Sequence, residues 1–236
     1  MERKSSIIRI EGVLSLQEEN LYHFKCINNH DNLVEIQAFK FELLFESGLR
    51  AIKDNYLLES VLSLTASLER FYEFFIRIKM NSNGLISKDF DQLFNNIANQ
   101  SERQYGAFLF IYGYTYKQNP PVLIKKKSVE FRNKVVHKGY LPKEIEVLTY
   151  AEDVFNTIKF YYSKLLTDNN KEIFNYLTEI QSQRQIENRD LMDKTNTNIS
   201  SIAPCLAISH ILHIDEFNKV DLMEYYESIR KSEFYI

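Results

Sequence analysis

The spacing of apolar residues between positions 57 and 78 constrains the fold of this chain more than any other feature. Successive apolar residues are separated alternately by four and three positions, which places them on one stripe of a helix. The stripe consists of Leu57, Val61, Leu64, Leu68, Phe71, Phe75 and Ile78. The polar and glycine residues at 81–84 are expected to end this helix. A long helix with a single apolar stripe predicts a protein built from packed helices.

Further amphipathic segments predict a mainly α fold. Ser87 is a candidate N-cap for a helix at 88–99, and Gly139 is expected to end a helix that starts at Val122. Pro142 suits the first position of the helix that follows. The aromatic-rich segment 104–118 is compatible with either a buried helix or a strand, and its pattern leaves both open. The remaining helices are expected at 142–166, 168–194 and 220–231.

The first 45 residues follow a different pattern. Two short apolar runs, LYHFKCI and LVEIQAF, flank a polar turn at 28–32, and the second run alternates between apolar and polar residues. This arrangement predicts a small antiparallel sheet or ribbon. We therefore divide the chain into a small β-rich element (1–45), a helical bundle (46–194) and a C-terminal extension with one further helix (195–236).

Composition and charge exclude several classes of protein. The 236 residues are 44% hydrophobic and 26% charged, which is typical of a globular protein with a sizeable core. The net charge of −3 means that nucleic acid would have to bind a local basic patch. Cys26 and Cys205 are too few for a disulfide framework or a zinc cluster, and His210 and His213 lack a clear third metal ligand. With no long apolar segment, we expect a soluble, cytoplasmic protein that does not cross a membrane.

The segment SVEFRNKVVHKGYLP, residues 128–142, concentrates the polar side chains with chemical potential. A helical wheel places Arg132 about 60° to one side of an apolar stripe through Val129 and Val136, and His137 about 80° to the other side. Asn133 lies between the stripe and His137. The opposite face of the helix is also apolar, so the helix is expected to pack against its own domain on one side and a second element or subunit on the other. A polar cleft at a subunit interface would keep these three side chains paired or hydrated.

These three residue types suit the cleavage of RNA, and we expect no cofactor. An imidazole can take a proton from a ribose 2′-hydroxyl or give one to a leaving 5′-oxygen, which is the role expected of His137. The guanidinium of Arg132 can bind a phosphate and stabilise its developing charge. Asn133 can orient either group. Nearby lysines are expected to guide RNA to the cleft, and these are Lys125, Lys126, Lys127, Lys134 and Lys138.

Other interpretations of the same residues stay open. His137 and Lys138 at a solvated helix end could simply interact with the helix dipole. Glu69 interrupts a second apolar stripe on the long helix, which makes it a candidate for a partly buried residue that faces Arg132, although the pattern favours an ordinary surface residue. The tyrosine-rich runs at 112–116 and 161–162 are more typical of a core than of a base-stacking platform.

The residues RNKVVH at 132–137 resemble the R-x(4–6)-H motif of HEPN domains, a family of helical nucleotide-binding domains and ribonucleases. The KGYLP that follows is also similar to that family, as is LTASLERFYEFF in the long helix. The resemblance covers about residues 46–166. Tyr140, three residues after His137, is a supporting candidate, although relatives paired with a nucleotidyltransferase antitoxin typically have this tyrosine two residues after the histidine.

The resemblance implies an HEPN-like helical bundle that forms a homodimer with the two motifs facing each other. It also implies metal-independent cleavage of RNA to a 2′,3′-cyclic phosphate, with Arg132 and His137 catalytic and Asn133 their polar neighbour. Many relatives act as toxins or in abortive infection against phage, so an antitoxin or a phage-derived trigger is an expected partner. The alternatives are a non-catalytic module that binds a nucleotide, RNA or protein, and a purely structural interaction protein.

Overall fold

The computed structural model describes residues 21–25, 28–197, 199–202 and 219–229. These residues form eight helices and three short strands, which confirms a mainly α fold with a small N-terminal β element. The elements in chain order are β1 (Leu21–Lys25), β2 (Asp31–Ile36), α1 (Lys40–Lys53), α2 (Leu57–Ser82), α3 (Ser87–Phe94), α4 (Ser101–Tyr116), α5 (Lys126–Lys138), α6 (Glu144–Glu187), α7 (Arg189–Thr195), β3 (Ile199–Ile202) and α8 (Leu222–Ser228).

The described residues fall into two compact units. One contains the strands together with the chain from Ile180 to the end of β3, and the other contains Ala38–Glu179 and α8. The boundaries expected from the sequence at 45/46 and 194/195 lie inside α1 and α7, so neither coincides with the end of an element.

The first unit is organised by a three-stranded sheet in the order β1-β2-β3. β1 and β2 are antiparallel, with Tyr22 opposite Val34, which confirms the predicted ribbon. β3 adds a parallel partner to β2 that the sequence pattern did not indicate. Glu35 on β2 is buried and accepts a hydrogen bond from Arg184 at 2.5 Å, so its charge is compensated within this unit.

The predicted long helix is confirmed as α2, and its stripe forms the centre of the second unit. Five of the seven stripe residues are buried, while Leu57 and Leu68 are half-buried. The helical pattern that the sequence shows from Glu46 belongs to two helices, because α1 ends at Lys53 and Asn55 adopts a left-handed conformation (φ 62°) before α2 begins. α1 packs closely along α2, with Gly48 of α1 lying directly against Leu64 of α2.

The aromatic-rich segment that was compatible with helix or strand is the helix α4. Phe108 and Tyr112 on this helix are fully buried, and each meets Tyr161 of α6 edge to face. Such edge-to-face pairs are favourable beyond the area that they bury. The first tyrosine-rich run therefore contributes to the core through Tyr112, whereas Tyr114 is exposed.

Several predicted helix ends are wrong by a few residues. Ser87 is the first residue of α3 rather than its N-cap, which is Ile86. α5 begins at Lys126 and not at Val122, because residues 121–125 take a non-helical path. Its end at Gly139 is confirmed, since this glycine is left-handed with φ 66°.

The predicted division of the region 142–194 into two helices is also only partly correct. α6 runs from Glu144 across the expected gap to Glu187, with a kink at Asn169 (φ −138°, ψ 31°). The buried side chain of Lys79 donates hydrogen bonds to Asn169 at 2.5 Å and to Asp168 at 3.2 Å, which ties the kink to α2.

Some sequence predictions concern residues outside the described part of the chain. These are the roles of Cys26, Cys205, His210 and His213 and the apolar runs before residue 21. Across the described ranges, none of the helices combines the length and apolar character needed to span a membrane.

Candidate functional site

The helix α5, which carries the RNKVVH segment, is anchored at its N-terminus by one buried carboxylate. Asp153 of α6 is only 3% exposed and accepts hydrogen bonds from Ser128 Oγ at 2.6 Å and from Lys125 Nζ at 2.8 Å. The hydrogen bond to Asp153 raises the pKa of the Lys125 ammonium above its ordinary value. Lys125 therefore serves to fix the start of α5, in addition to any contact with a ligand.

The two sides of α5 differ in burial. Ser128 and Val135 are buried on the side that faces the rest of the unit. On the other side Val129 is 44% exposed and Val136 is half-buried. Both sides of α5 thus carry apolar side chains, as predicted. Within a single copy of the chain, the side with Val129 and Val136 remains partly exposed to solvent.

A cavity of about 340 Å³ lies between α2, α4, α5, α6 and the segment that precedes α5. Tyr161 helps to position that segment, because its hydroxyl donates to the carbonyl of Pro121 at 2.8 Å. The polar side chains on the cavity wall come from four helices and are those of Thr65, Glu69, Ser101, Glu102, Arg132, Asn133, Tyr150 and Thr157. The rest of the wall combines aromatic side chains of α2, α4 and α6 with aliphatic ones, several of which come from the segment that precedes α5.

Arg132 is half-buried at this cavity and is held by its neighbours. Its Nη1 donates to Oδ1 of Asn133 at 2.9 Å, and its guanidinium also interacts with the hydroxyl of Tyr150. The Thr65 hydroxyl donates its proton to the carbonyl of Val61 at 2.7 Å, so the Tyr150 hydroxyl, 3.0 Å away, is the donor to Thr65. Burial raises the pKa of Tyr150, while the positive charge of Arg132 opposes the rise. Tyr150 therefore acts as a neutral hydrogen-bonding group beside the guanidinium.

Glu69 lies on the same cavity wall as Arg132 and is half-buried. Its Oε1 accepts a hydrogen bond from the Ser101 hydroxyl at 2.5 Å, which orients the carboxylate from the start of α4. Glu69 and Arg132 act on the pKa of Tyr150 in opposite directions, since the carboxylate raises it and the guanidinium lowers it. The cavity thus holds the cationic Arg132 together with two carboxylates, since the exposed Glu102 of α4 also lines it.

His137 does not line this cavity. It lies one helical turn beyond Asn133, on the exposed side of α5. Within one copy of the chain, the fold brings Arg132, Asn133 and Glu69 together and leaves His137 facing outward.

Tyr140, which follows the end of α5, and most of the lysines lie outside this cavity. Tyr140 donates to Glu146 at 3.0 Å, and this hydrogen bond raises the pKa of its hydroxyl. Together with Lys127 and Lys134 these two residues line a second cavity of about 360 Å³. Lys126 and Lys138 are exposed.

The cavity also contains residues that the sequence analysis did not single out as functional. Tyr72, Tyr105 and Phe108 supply its aromatic wall, and Tyr150 contacts the guanidinium of Arg132. One signal was available for α2, where polar residues at 65 and 69 interrupt an otherwise apolar stripe at helical spacing. No comparable pattern identified Tyr150, because it follows the same helical spacing as the other buried residues of α6 and looks like an ordinary core residue in the sequence.

The described residues contain no group of three or more His, Cys, Asp or Glu side chains that could hold a metal ion. No family model, no curated protein and no solved structure matches the chain. Chemically, the arrangement offers a guanidinium for a phosphate, an amide that orients it, and a cavity of the size of a small molecule beside them.

Proposed function

We propose that the protein is a metal-independent endoribonuclease of the HEPN type. The observation that carries the proposal is the pairing of Arg132 and Asn133 at the wall of the cavity, with His137 one turn later on the same helix. A guanidinium that is already oriented by an amide loses little entropy when it binds a phosphate. The exposed imidazole is free to exchange protons with a substrate that spans the surface of α5.

Each residue of the motif has a definite role in the proposed reaction. His137 takes the proton from a ribose 2′-hydroxyl, whose oxygen attacks the adjacent phosphorus. The bond from phosphorus to the 5′-oxygen breaks, and that oxygen leaves with a proton supplied by a second imidazole or by water. Arg132 stabilises the charge that develops on the phosphate, and Asn133 holds the guanidinium in place. The products are a 2′,3′-cyclic phosphate and a free 5′-hydroxyl.

The open side of α5 supports a composite site made by two copies of the chain. Val129 is exposed and Val136 is half-buried, and together they form an apolar stripe on α5. Arg132 lies to one side of this stripe and His137 to the other. A second copy that covers this stripe would remove apolar surface from water and would bring the His137 of each copy towards the same groove. The proposed active form is therefore a homodimer.

The lysines of α5 support binding of RNA. Lys127, Lys134 and Lys138 follow each other at intervals of seven and four residues, so they share one face of the helix. All three are exposed, and none forms an ion pair within the described residues. They would contact backbone phosphates on either side of the cleaved bond, which would make binding weaker at high salt.

We further propose that the activity serves as a toxin or as an antiviral effector in abortive infection, held in check by an antitoxin or released by a phage-derived trigger. The support is the likeness of RNKVVH and its flanking helices to HEPN domains. Induced expression in a bacterial host should arrest growth, whereas His137→Ala expressed to the same level should not. Growth arrest by both proteins would contradict this role.

The nuclease activity is tested by incubating the purified protein with total RNA in EDTA. We expect cleavage with 2′,3′-cyclic phosphate ends, and a loss of about 10²–10⁴-fold in rate in His137→Ala because proton transfer is removed. His30→Ala is the matched control, since it removes an exposed imidazole that lies outside α5. Cleavage that persists in a folded His137→Ala, or that requires a divalent metal, would contradict the proposal.

One observation favours a second function. His137 lies outside the cavity that contains Arg132, and a guanidinium cavity whose lining lacks the motif's imidazole suits binding better than the proposed cleavage. In that case the protein is a non-catalytic module that holds a nucleotide, RNA or a partner protein. A wild type that binds RNA but leaves it intact under all conditions would support this alternative.

A further inference from the structure

The lining of the cavity beside Arg132 includes aromatic rings on which a flat aromatic ligand could stack. Its volume of about 340 Å³ is at the lower end of the range for small-molecule sites. Tyr72 and Phe108 form its inner wall, with ring centroids 4.6 Å apart. Tyr105, which is 40% exposed, stacks on Phe108 at 6.2 Å and offers its ring to an incoming ligand. Stacking on such a ring stabilises a bound RNA base.

Glu69 introduces selectivity into this aromatic site. The hydrogen bond from Ser101 engages Oε1 of its carboxylate, and within the described part of the chain Oε2 accepts no hydrogen bond. A carboxylate can only accept hydrogen bonds, and its two oxygens together match two donors that lie side by side. The base that binds here should therefore present donors rather than acceptors to Glu69.

Among the four RNA bases, guanine alone presents two adjacent N–H donors, at N1 and at the 2-amino group. Adenine and cytosine place an acceptor nitrogen beside their amino group, and the N3–H of uracil lies between two carbonyls. We propose that this cavity binds one unpaired guanine of the RNA and that Glu69 is the residue that selects it. This proposal depends on the proposed function, because that function identifies the substrate as RNA.

The position of Arg132 connects this base site to the phosphate. Arg132 and Asn133 lie on the same cavity wall as Glu69, so a guanine on Tyr105 would place its own phosphate near the guanidinium. A base that is paired in a duplex cannot enter a cavity enclosed by four helices. The site therefore selects guanine in a single strand, a loop or an end.

The experiment measures binding, separately from cleavage, with the four nucleoside 3′-monophosphates and with inorganic phosphate. Titration calorimetry on the wild type should give a dissociation constant for 3′-GMP at least about tenfold lower than for 3′-AMP, 3′-CMP or 3′-UMP, in line with the loss of one good hydrogen-bond pair. Glu69→Gln should abolish this preference while it retains binding of 3′-AMP. Glu59→Gln, which removes the same charge from an exposed position on α2, should leave the preference unchanged.

A second variant separates stacking from selection. Tyr105→Ala should weaken all four nucleotides together and leave the affinity for inorganic phosphate unchanged. Equal binding of the four nucleotides by the wild type, or a guanine preference that survives in Glu69→Gln, would overturn the inference. RNA cleavage without preference for guanine would overturn the inference and leave the proposed function standing. A guanine preference in binding with no cleavage of RNA would overturn the proposed function and leave the base site standing.

Discussion

Asp153 links the core of the helical unit to the candidate site. Its two oxygens accept hydrogen bonds from Lys125 and Ser128, which are at the cap and in the first turn of α5. Because Asp153 and Ser128 are buried, water does not compete for the hydrogen bond between them. The direction of α5, and with it the position of Arg132 one turn further along, depends on this contact.

At the residue scale we expect Asp153→Ala to lower the free energy of unfolding by about 2 kcal/mol, because the buried hydroxyl of Ser128 loses its charged acceptor. Chemical denaturation monitored by circular dichroism measures the change. Glu152→Ala, which removes an exposed carboxylate one position earlier on α6, is the control and should change stability by less than about 0.5 kcal/mol. Equal stability of the two variants would show that the contact does not anchor α5.

At the scale of the element, the pairing of α1 and α2 depends on a close approach at Gly48. A Cβ atom at this position would lie 2.8 Å from Cγ and 3.0 Å from Cδ2 of Leu64, which is fully buried. The side chain of Leu64 is held by the core and cannot move away without disturbing its neighbours. A glycine at this position is therefore required by packing rather than by backbone conformation.

We expect Gly48→Ala to destabilise the protein even though alanine is the better helix former. The overlap with Leu64 costs about 1–3 kcal/mol, which exceeds the gain of about 0.5–1 kcal/mol in helix propensity. Gly106→Ala on α4 is the matched control, because nothing lies within 4 Å of its Cβ position. Thermal unfolding should show a lower melting temperature for the first variant and a higher one for the second. A rise in both would contradict the packing argument.

The helices and strands also show how far local sequence patterns predict secondary structure. The apolar spacing in α2 correctly indicated a long helix and most of its buried face, since a 3.6-residue period is visible in the sequence itself. The break at Asn55 and the continuation of α6 past residue 167 were not predicted. The break at Asn55 is closed by local backbone hydrogen bonds, such as that from Asn55 N to the carbonyl of Ile52. The kink of α6, by contrast, contacts another element through the hydrogen bonds of Lys79 to Asp168 and Asn169. The parallel pairing of β3 with β2 joins residues far apart in the chain and has no local signal.

At the scale of the whole molecule, the partly exposed side of α5 with Val129 and Val136 is the surface through which a second copy of the chain would bind in the proposed function. The net charge of −3 gives no general attraction to RNA, so binding has to be concentrated where α5 presents its lysines. If two copies join through Val129 and Val136, the lysine-bearing face of each α5 lies on the far side of the helix. At about 100° per residue, Lys127, Lys134 and Lys138 are about 140–180° around the helix from Val129. Association and RNA binding would then depend on the same helix.

We expect light scattering to give a mass of about twice the 28.0 kDa of one chain. Val136→Asp should reduce this mass to that of a single chain and should abolish RNA cleavage, because the variant buries a charge in the proposed interface. Asn156→Asp, which adds the same charge at an exposed position on α6, should remain dimeric and active. A wild type that is monomeric and still cleaves RNA would contradict the composite site.

The sequence by itself determined the helical character of the chain, the β ribbon near its N-terminus and the order of guanidinium, amide and imidazole along α5. These follow from the periodicity and the spacing of neighbouring residues, which local backbone geometry converts directly into faces of a helix or a strand. Glu69 was only a candidate for a partly buried position in the sequence, which favoured an ordinary surface glutamate, and the structure shows it half-buried.

Only the tertiary structure decided which of these side chains share a cavity. Arg132, Asn133 and Glu69 line it together with the aromatic side chains of α2 and α4, while His137 faces outward on the same helix. Local spacing defines the angle between Arg132 and His137, but the side on which a cavity opens depends on how four helices pack. That packing follows from apolar contacts between residues distant in the chain, which no single segment encodes.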